Sequence, residues 1–388
     1  MRTHLRRVAS QPPQRQIKIN HPYRRRIMRY ATDFLRNSEQ HAKFFMFPEV
    51  FFDWVFTKQG AKKWFSKQIL YEIIKGKVRR PHSTFVRFRP RKELVRKPTR
   101  NDYAVNALAD KIKREGSVFL KPTGMMASEG WGIARIQKNG NTLVITVSED
   151  TAFKSLAETL PLGSFRVAGD KKIEILLSRE RSIQRVLGEI SSARFAYRHI
   201  AEREIRMPLY EGRKWEIRTI VQSPERKPTV VGHFAKVGGD NIAANVALGG
   251  REEEASRVIS GIYKTLYPHK TKAGIGVLAS EFFRRANAEA EKAMGAINSH
   301  IQRMAEKYIT GLPKSEFYAR EAAVDITGEL NPQTGKIEPV VGEVQYPIFG
   351  GAETGLKKFD PVGYRRYKEN RKGMVAQGKE VLMHAFGL

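Results

Sequence analysis

From Ala322 to Pro347 the chain reads AAVDITGELNPQTGKIEPVVGEVQYP. Ala322 to Thr327 and Pro339 to Val344 are apolar runs of strand length, and Asn331-Pro332-Gln333-Thr334-Gly335 between them is a cluster of turn formers, so the stretch predicts a β-hairpin. Side chains alternate between the faces of a strand, which puts Glu343 and Gln345 on one face, and the hairpin partner can bring Asp325 beside them. Two carboxylates and an amide oxygen make a hard, all-oxygen set suited to Mg²⁺ that is holding nucleotide phosphates. Three ordinary polar positions on a solvated face are the alternative.

The same pattern recurs upstream. Lys214 to Gln222 and Thr229 to Val237 predict a second antiparallel pair, turned by Ser223-Pro224-Glu225-Arg226-Lys227-Pro228. Lys214, Glu216 and Arg218 share one strand face there, where an arginine can clamp a transferring phosphoryl group or simply form cross-strand salt bridges. Ser117 to Lys121 is a short apolar strand, and Gly132 to Ile136 with Thr142 to Val147 predicts a hairpin around Asn139-Gly140-Asn141. The loop between them, KPTGMMASEGWG from Lys121 to Gly132, pairs a strand-end lysine with glycines whose N–H groups can approach phosphate oxygens. It is neither a P-loop nor a dinucleotide fingerprint, both of which open a helix, and a plain flexible hairpin loop is its other reading. Tyr103 to Arg114, Ser182 to Ala201 and Glu252 to Lys307 have helical spacing, the last as two or three helices. Strands alternating with helices place the chain in the α/β (α+β) class.

Charge is distributed unevenly along the 388 residues. Lys and Arg number 70 against 40 Asp and Glu, and residues 1–100 alone hold 26 basic and 6 acidic residues, so most of the +30 excess lies at the N-terminal end. The first 32 residues carry no acid. Such a segment reads as a basic arm on nucleic acid, a patch for acidic lipid or protein, or an Arg-rich organelle presequence. Phe44, Phe45, Phe47, Phe51, Phe52, Trp54, Phe56, Trp64 and Phe65 then cluster among lysines, as in a small helical bundle or a base-stacking surface. The expected organisation is a basic arm (1–42), an aromatic-rich helical region (43–76), a basic Pro-containing linker (77–100), an α/β domain (101–361) and a basic C-terminal tail (362–388).

Several function classes are excluded or disfavoured. No cysteine is present, which rules out disulfides, thiolate metal sites and a cysteine nucleophile. No apolar run is long enough to span a bilayer and the N-terminus has no signal-peptide core, so the expected setting is cytoplasmic or another reducing interior, with organelle import left open. The nine histidines show no His-Glu-x-x-His spacing and there is no Gly-x-Ser-x-Gly elbow, which disfavours a zinc hydrolase and a serine hydrolase.

Taken in order, these elements resemble the ATP-grasp superfamily from about Asn101 to Pro361, nearest to the spore-coat-associated YheC/YheD group. Lys121-Pro122 is similar to the family's strand-end lysine that contacts the nucleotide. The segment from Gly124 to Gly132 resembles its phosphate lid, with Gly124, Ser128, Gly130 and Gly132 at the phosphates. Glu204-Ile205-Arg206-Met207-Pro208-Leu209 resembles the hinge that meets the adenine edge. Glu216-Ile217-Arg218 is similar to the family's Asp-Ile-Arg, with glutamate for aspartate. Lys236, then Asn245 in Asn245-Val246-Ala247-Leu248-Gly249-Gly250, resembles a basic residue and a turn near the γ-phosphate. Asp325 and Glu343 match its two magnesium carboxylates, and Glu343-Val344-Gln345 its Glu-Val-Asn, with Gln345 one methylene longer.

The resemblance implies an ATP-grasp core of two α/β subdomains with antiparallel sheets, preceded by the basic, mainly helical region. It implies ATP and Mg²⁺ as cofactors, with Arg218, Lys236 and Asn245 as catalytic residues. The implied activity is an ATP-dependent carboxylate-amine ligase working through an acylphosphate, its carboxylate and amine substrates unknown. The competing expectation is a binding protein on a degenerate or regulatory scaffold of this kind, attached to RNA, DNA or another polyanion through residues 1–100.

Overall fold

The computed structural model describes residues 18–19, 66–87, 99–123, 133–161, 163–178, 181–191, 198–239, 244, 246, 249–310, 314–346 and 351–386. Among these the strands form three antiparallel sheets. A two-residue ribbon pairs β1 (Lys18–Ile19) with β12 (Ile309–Thr310). A larger sheet holds β2 (Ser83–Arg87), β3 (Ser117–Pro122), β4 (Ala134–Asn139), β5 (Thr142–Val147), β6 (Arg166–Gly169), β7 (Lys172–Leu176) and β8 (Arg198–Arg203), in the order β2-β8-β3-β4-β5-β7-β6. A smaller one holds β9 (Trp215–Gln222), β10 (Thr229–Val237), β11 (Arg251–Glu253), β13 (Glu321–Leu330) and β14 (Ile337–Gln345), in the order β11-β10-β9-β13-β14.

The helices follow from what each sheet must bury. They are α1 (Lys67–Ile74), α2 (Thr99–Glu115), α3 (Asp150–Thr159), α4 (Ile183–Ser191), α5 (Ala255–Leu266), α6 (Lys272–Tyr308), α7 (Ala352–Phe359) and α8 (Pro361–Phe386). On the larger sheet, Leu108, Ala109 and Ile112 of α2 and Val186, Leu187 and Ile190 of α4 pack into one cluster with Ile136, Ile145 and Ile173. On the smaller sheet, α6 lays Ala286, Ala290, Ala293 and Ile297 over Trp215, Ile217, Ile326 and Val341. That three-and-four spacing is the apolar stripe of a helix, and its alanines permit a close approach to the strands. Thr271 caps α6, its hydroxyl accepting from the Gly274 N–H at 3.2 Å. The opposite face is covered by α7 and α8 over Ile220, Phe234 and Ala323. No helix among the described residues is long and apolar enough to cross a membrane.

The α/β class and both antiparallel hairpins of the smaller sheet agree with the sequence reading, as does the hairpin of β4 and β5. Ser182 to Ala201, expected as one helix, divides instead: α4 ends at Ser191 and β8 begins at Arg198. Pairing with β2 on one side and β3 on the other overrides the helical spacing there. Residues 77–100, read as a linker, hold β2 at the edge of the larger sheet and the start of α2. Pro81 precedes that strand rather than interrupting it. Residues 362–388, read as a tail, lie almost wholly in α8, which buries Tyr367, Met374 and Leu382. The basic arm and the aromatics from Phe44 to Phe65 lie outside the described residues, apart from β1.

Strand β14 is an edge, and an edge strand presents unpaired backbone groups. Here α1 and the turn after it cover them. The Tyr71 hydroxyl donates to the Gly342 C=O at 3.2 Å, and the Val341 N–H donates to the Arg79 C=O at 2.8 Å. Gly342 is the extra residue of a β-bulge, since Asp325 pairs with Glu343 while Ile326 pairs with Val341.

The α8 helix meets β10 through glycine. A Cβ on Gly363 would stand 2.6 Å from the Val231 carbonyl oxygen, a backbone atom that cannot turn aside. Gly363→Ala is therefore expected to lower stability by about 1 to 3 kcal/mol, as overpacking does. Urea denaturation checks this, and an unchanged midpoint would refute the close approach.

Candidate functional site

The face of the smaller sheet that α7 and α8 cover changes character along its strands. Two residues beyond Ile220 on β9 comes Arg218 and then Glu216; beyond Phe234 on β10 comes Lys236; beyond Ala323 on β13 comes Asp325. Register aligns them. Asp325 lies opposite Arg218 on one side and Glu343 on the other, and Lys236 lies opposite Glu216. The period-two alternation that fills the core beneath α7 thus delivers charged side chains further along the same face, where Arg218, Lys236 and Asp325 are buried.

Asp325 is at the centre. Arg218 grips it with both arms, Nε to Oδ1 at 2.9 Å and Nη2 to Oδ2 at 2.8 Å. Lys236 Nζ reaches Oδ2 at 3.0 Å and also pairs with Glu216, while Gln345 Nε2 donates to Oδ2 at 3.2 Å. Burial alone would raise the Asp325 pKa, but Arg218 and Lys236 hold it well below the usual carboxylate range. For Glu216 burial prevails: its pKa is raised, with Asp325 adding repulsion and Lys236 offsetting only part.

A second group joins this patch to the larger sheet. Lys121, at the end of β3, pairs with Glu202 of β8 at 2.5 Å, and Arg80 pairs with the same carboxylate at 3.0 Å. The Arg80 guanidinium also lies over the Tyr71 ring, 3.8 Å from its centroid. Burial works against the Lys121 charge, yet Glu202 overrides it and raises the Lys121 pKa above its ordinary value. Glu202 is lowered in turn, against its own burial, by Lys121 and Arg80. Burial and the Glu202 charge push the Tyr71 pKa up. Because the Tyr71 hydroxyl donates to Gly342, beside Glu343, α1 bridges the two sheets.

The expected hinge, Glu204 to Met207, runs between β8 and β9 without regular structure, and much of its main chain is engaged. Ile205 C=O accepts from Met207 N–H at 2.9 Å and Arg206 C=O accepts from Leu330 N–H at 2.9 Å. Glu204 is held by Arg135, Nε at 2.9 Å and Nη2 at 2.7 Å, with Lys214 at 3.6 Å. Lys214 therefore faces Glu204 and, at 4.3 Å, the Phe119 ring.

Of the residues read from the sequence, Arg218, Lys236, Asp325 and Gln345 form one hydrogen-bonded cluster with Glu343 alongside, and Lys121 belongs to the neighbouring group. Gly124, Ser128, Gly130, Gly132 and Asn245 lie outside the described residues. Gln345 turns its amide nitrogen to Asp325. Among the described residues no group of three or more His, Asp or Glu is arranged to hold a metal ion. Both oxygens of Asp325 are engaged by Arg218, but the partly exposed Glu343 still fits magnesium that arrives with phosphates, because Mg²⁺ in such sites takes as few as one protein carboxylate.

Sequence reasoning missed Lys67, Tyr71, Arg80 and Glu202. Lys67 and Tyr71 are four apart on α1, a spacing that puts them on one helix face, but their partners lie far away in the chain.

No protein-family model matches the chain, and no curated protein matches it. Among solved structures it is similar to D-cycloserine synthetase DcsG, at 12% identity and a TM-score of 0.40 over 81% of this chain and 71% of that one. It is similar also to D-alanine–D-alanine ligase from Bacillus anthracis, at 12% identity and 0.37 over 82% and 68%. A third likeness is to L-amino acid ligase from Bacillus licheniformis, at 12% identity and 0.34 over 79% of this chain and 49% of that one. Likenesses this slight assign neither a family nor a substrate.

Glu202→Gln leaves Arg80 and the partly exposed Lys121 without their buried carboxylate, a loss expected to cost at most about 3 to 5 kcal/mol. The sign with pH follows. A carboxyl whose folded pKa is below its ordinary 4.5 stabilises fully above that value and progressively less as pH falls. The stability difference between wild type and variant is thus large at pH 7 and shrinks toward about pH 3.5. Urea midpoints at both values check it, and a pH-independent difference would count against the charge pairing.

Proposed function

We propose that the two larger sheets form an ATP-grasp nucleotide site, and that the protein is an ATP-dependent carboxylate-amine ligase. The observation that carries this reading is the Arg218–Asp325–Lys236 cluster, set on a sheet face beside Glu343 and bridged through Tyr71 to Lys121 of the other sheet. Phosphoryl transfer moves negative charge between oxygens, so a site for it needs fixed cations at both ends of the phosphate chain, kept from collapsing by buried carboxylates. In this reading Lys121, its position fixed by Glu202, contacts the nucleotide phosphates, and Arg218 and Lys236 act on the transferring group.

In the reaction a substrate carboxylate oxygen attacks the γ-phosphorus, ADP leaves and an acylphosphate forms. An amine nitrogen then attacks the acyl carbon, phosphate leaves with the C–O bonding pair, and the nitrogen gives up a proton. Arg218 and Lys236 neutralise the oxygens that gain charge in the first step. Glu343 would hold magnesium, which when bound shields the phosphate charge, while Asp325 keeps Arg218 and Lys236 in place. The substrate pair is left as a carboxylate and an amine.

Asp325→Asn and Glu343→Gln are expected to reduce ADP formation at least about hundredfold in proteins whose circular dichroism is unchanged. The assay is ATP-to-ADP conversion across a panel of amino acids, peptides and acidic polymers. Normal turnover by both variants would overturn the site assignment, and calorimetry detecting no ATP binding to the folded protein would overturn the reading.

A further inference from the structure

The two carboxylates at the centre of the site are not held alike. Asp325 is 3% exposed and fixed by three groups: a two-armed arginine, a lysine and an amide. Glu343 is 29% exposed and has a lysine from outside the smaller sheet. Lys67, in the first turn of α1, reaches round the β14 edge to Glu343 Oε1 at 3.2 Å. That lysine is itself 15% exposed, at the N-terminal end of a helix where the dipole disfavours a cation. Ser66 caps the same end by accepting from the Ile69 N–H at 3.1 Å, so the placement of Lys67 is fixed by the helix start and not by its dipole. One flexible, partly solvated ammonium on a partly solvated carboxylate is a weak and exchangeable contact, whereas a buried two-armed arginine pair is not.

We infer that Lys67 is a resident cation of the nucleotide site, which neutralises Glu343 when no metal is present and is displaced from it when a divalent cation enters with nucleotide. The inference rests on the ligase reading for the role of Glu343. It adds that a residue N-terminal to both larger sheets competes intramolecularly with the metal. The rest of α1 does not have to move for this exchange, because Tyr71 and the apolar Leu70 and Ile74 anchor the helix separately.

The test uses the full chain and Mn²⁺ as the probe, followed by the electron paramagnetic resonance of free Mn²⁺ in the presence of a non-hydrolysable ATP analogue. Lys67→Met removes the competitor and is expected to tighten Mn²⁺ binding roughly three- to tenfold, with an unchanged melting temperature. Lys67→Arg restores the charge and should return the affinity to the wild-type value. In a Glu343→Gln background the Lys67→Met effect should vanish, which separates competition at Glu343 from a general change in surface charge. Unchanged or weakened Mn²⁺ binding by Lys67→Met, with wild type binding normally, overturns the inference alone. Wild type that binds neither the analogue nor Mn²⁺ overturns the ligase reading beneath it.

Discussion

A buried carboxylate on an interior strand is the constraint around which the smaller sheet is arranged. Asp325 sits on β13 between β9 and β14, where taking an ionised carboxyl out of water costs several kcal/mol unless its charge is met. The register of three strands supplies what is needed, with Arg218 directly opposite on β9 and Lys236 one strand further on β10. Lys236 in turn requires Glu216. The result is a chain of alternating charges across the sheet, each member tolerable only because its neighbour is present. Apolar residues of equal volume would pack more simply, so stability alone does not account for the arrangement.

The second sheet repeats the device at smaller scale. Glu202 is nearly inaccessible, and Lys121 and Arg80 converge on it from different elements. What joins the two groups is a helix that the sequence places before either sheet. By pairing the exposed backbone of the β14 edge and laying Tyr71 against Glu202, α1 serves both as edge cover and as a strut between the sheets. A bulge that turns one carbonyl outward at Gly342 is what gives Tyr71 a partner.

The apolar core and the charged group share one face of the same strands. Against α7 and α8 the face is Ile220, Phe234 and Ala323; two residues further along each strand it is Arg218, Lys236 and Asp325, which are buried as well. Gly355 permits close contact with the Phe234 ring and Gly363 with the β10 backbone, which fixes the helices closely on that face. The C-terminal segment, basic in composition, is therefore part of the scaffold packed on that face.

Much of this was legible in the chain itself. The apolar runs in Ala322 to Val344 and in Lys214 to Val237 are local, and turn formers separate them, so both hairpins could be read without a structure, as could the shared face of Glu343 and Gln345 and that of Glu216 and Arg218. The β8 strand could not, because Arg198 to Arg203 follows a helix without a clear break and becomes a strand only by pairing on both sides. Nor could Tyr71, Lys67 or Glu202 be assigned: α1 looks like part of an aromatic helical region, and its partners are distant in sequence. Local pattern determines which face a side chain takes, since that depends on a residue's own backbone geometry. Which charge meets which depends on how separate elements dock, and only the tertiary structure decides that.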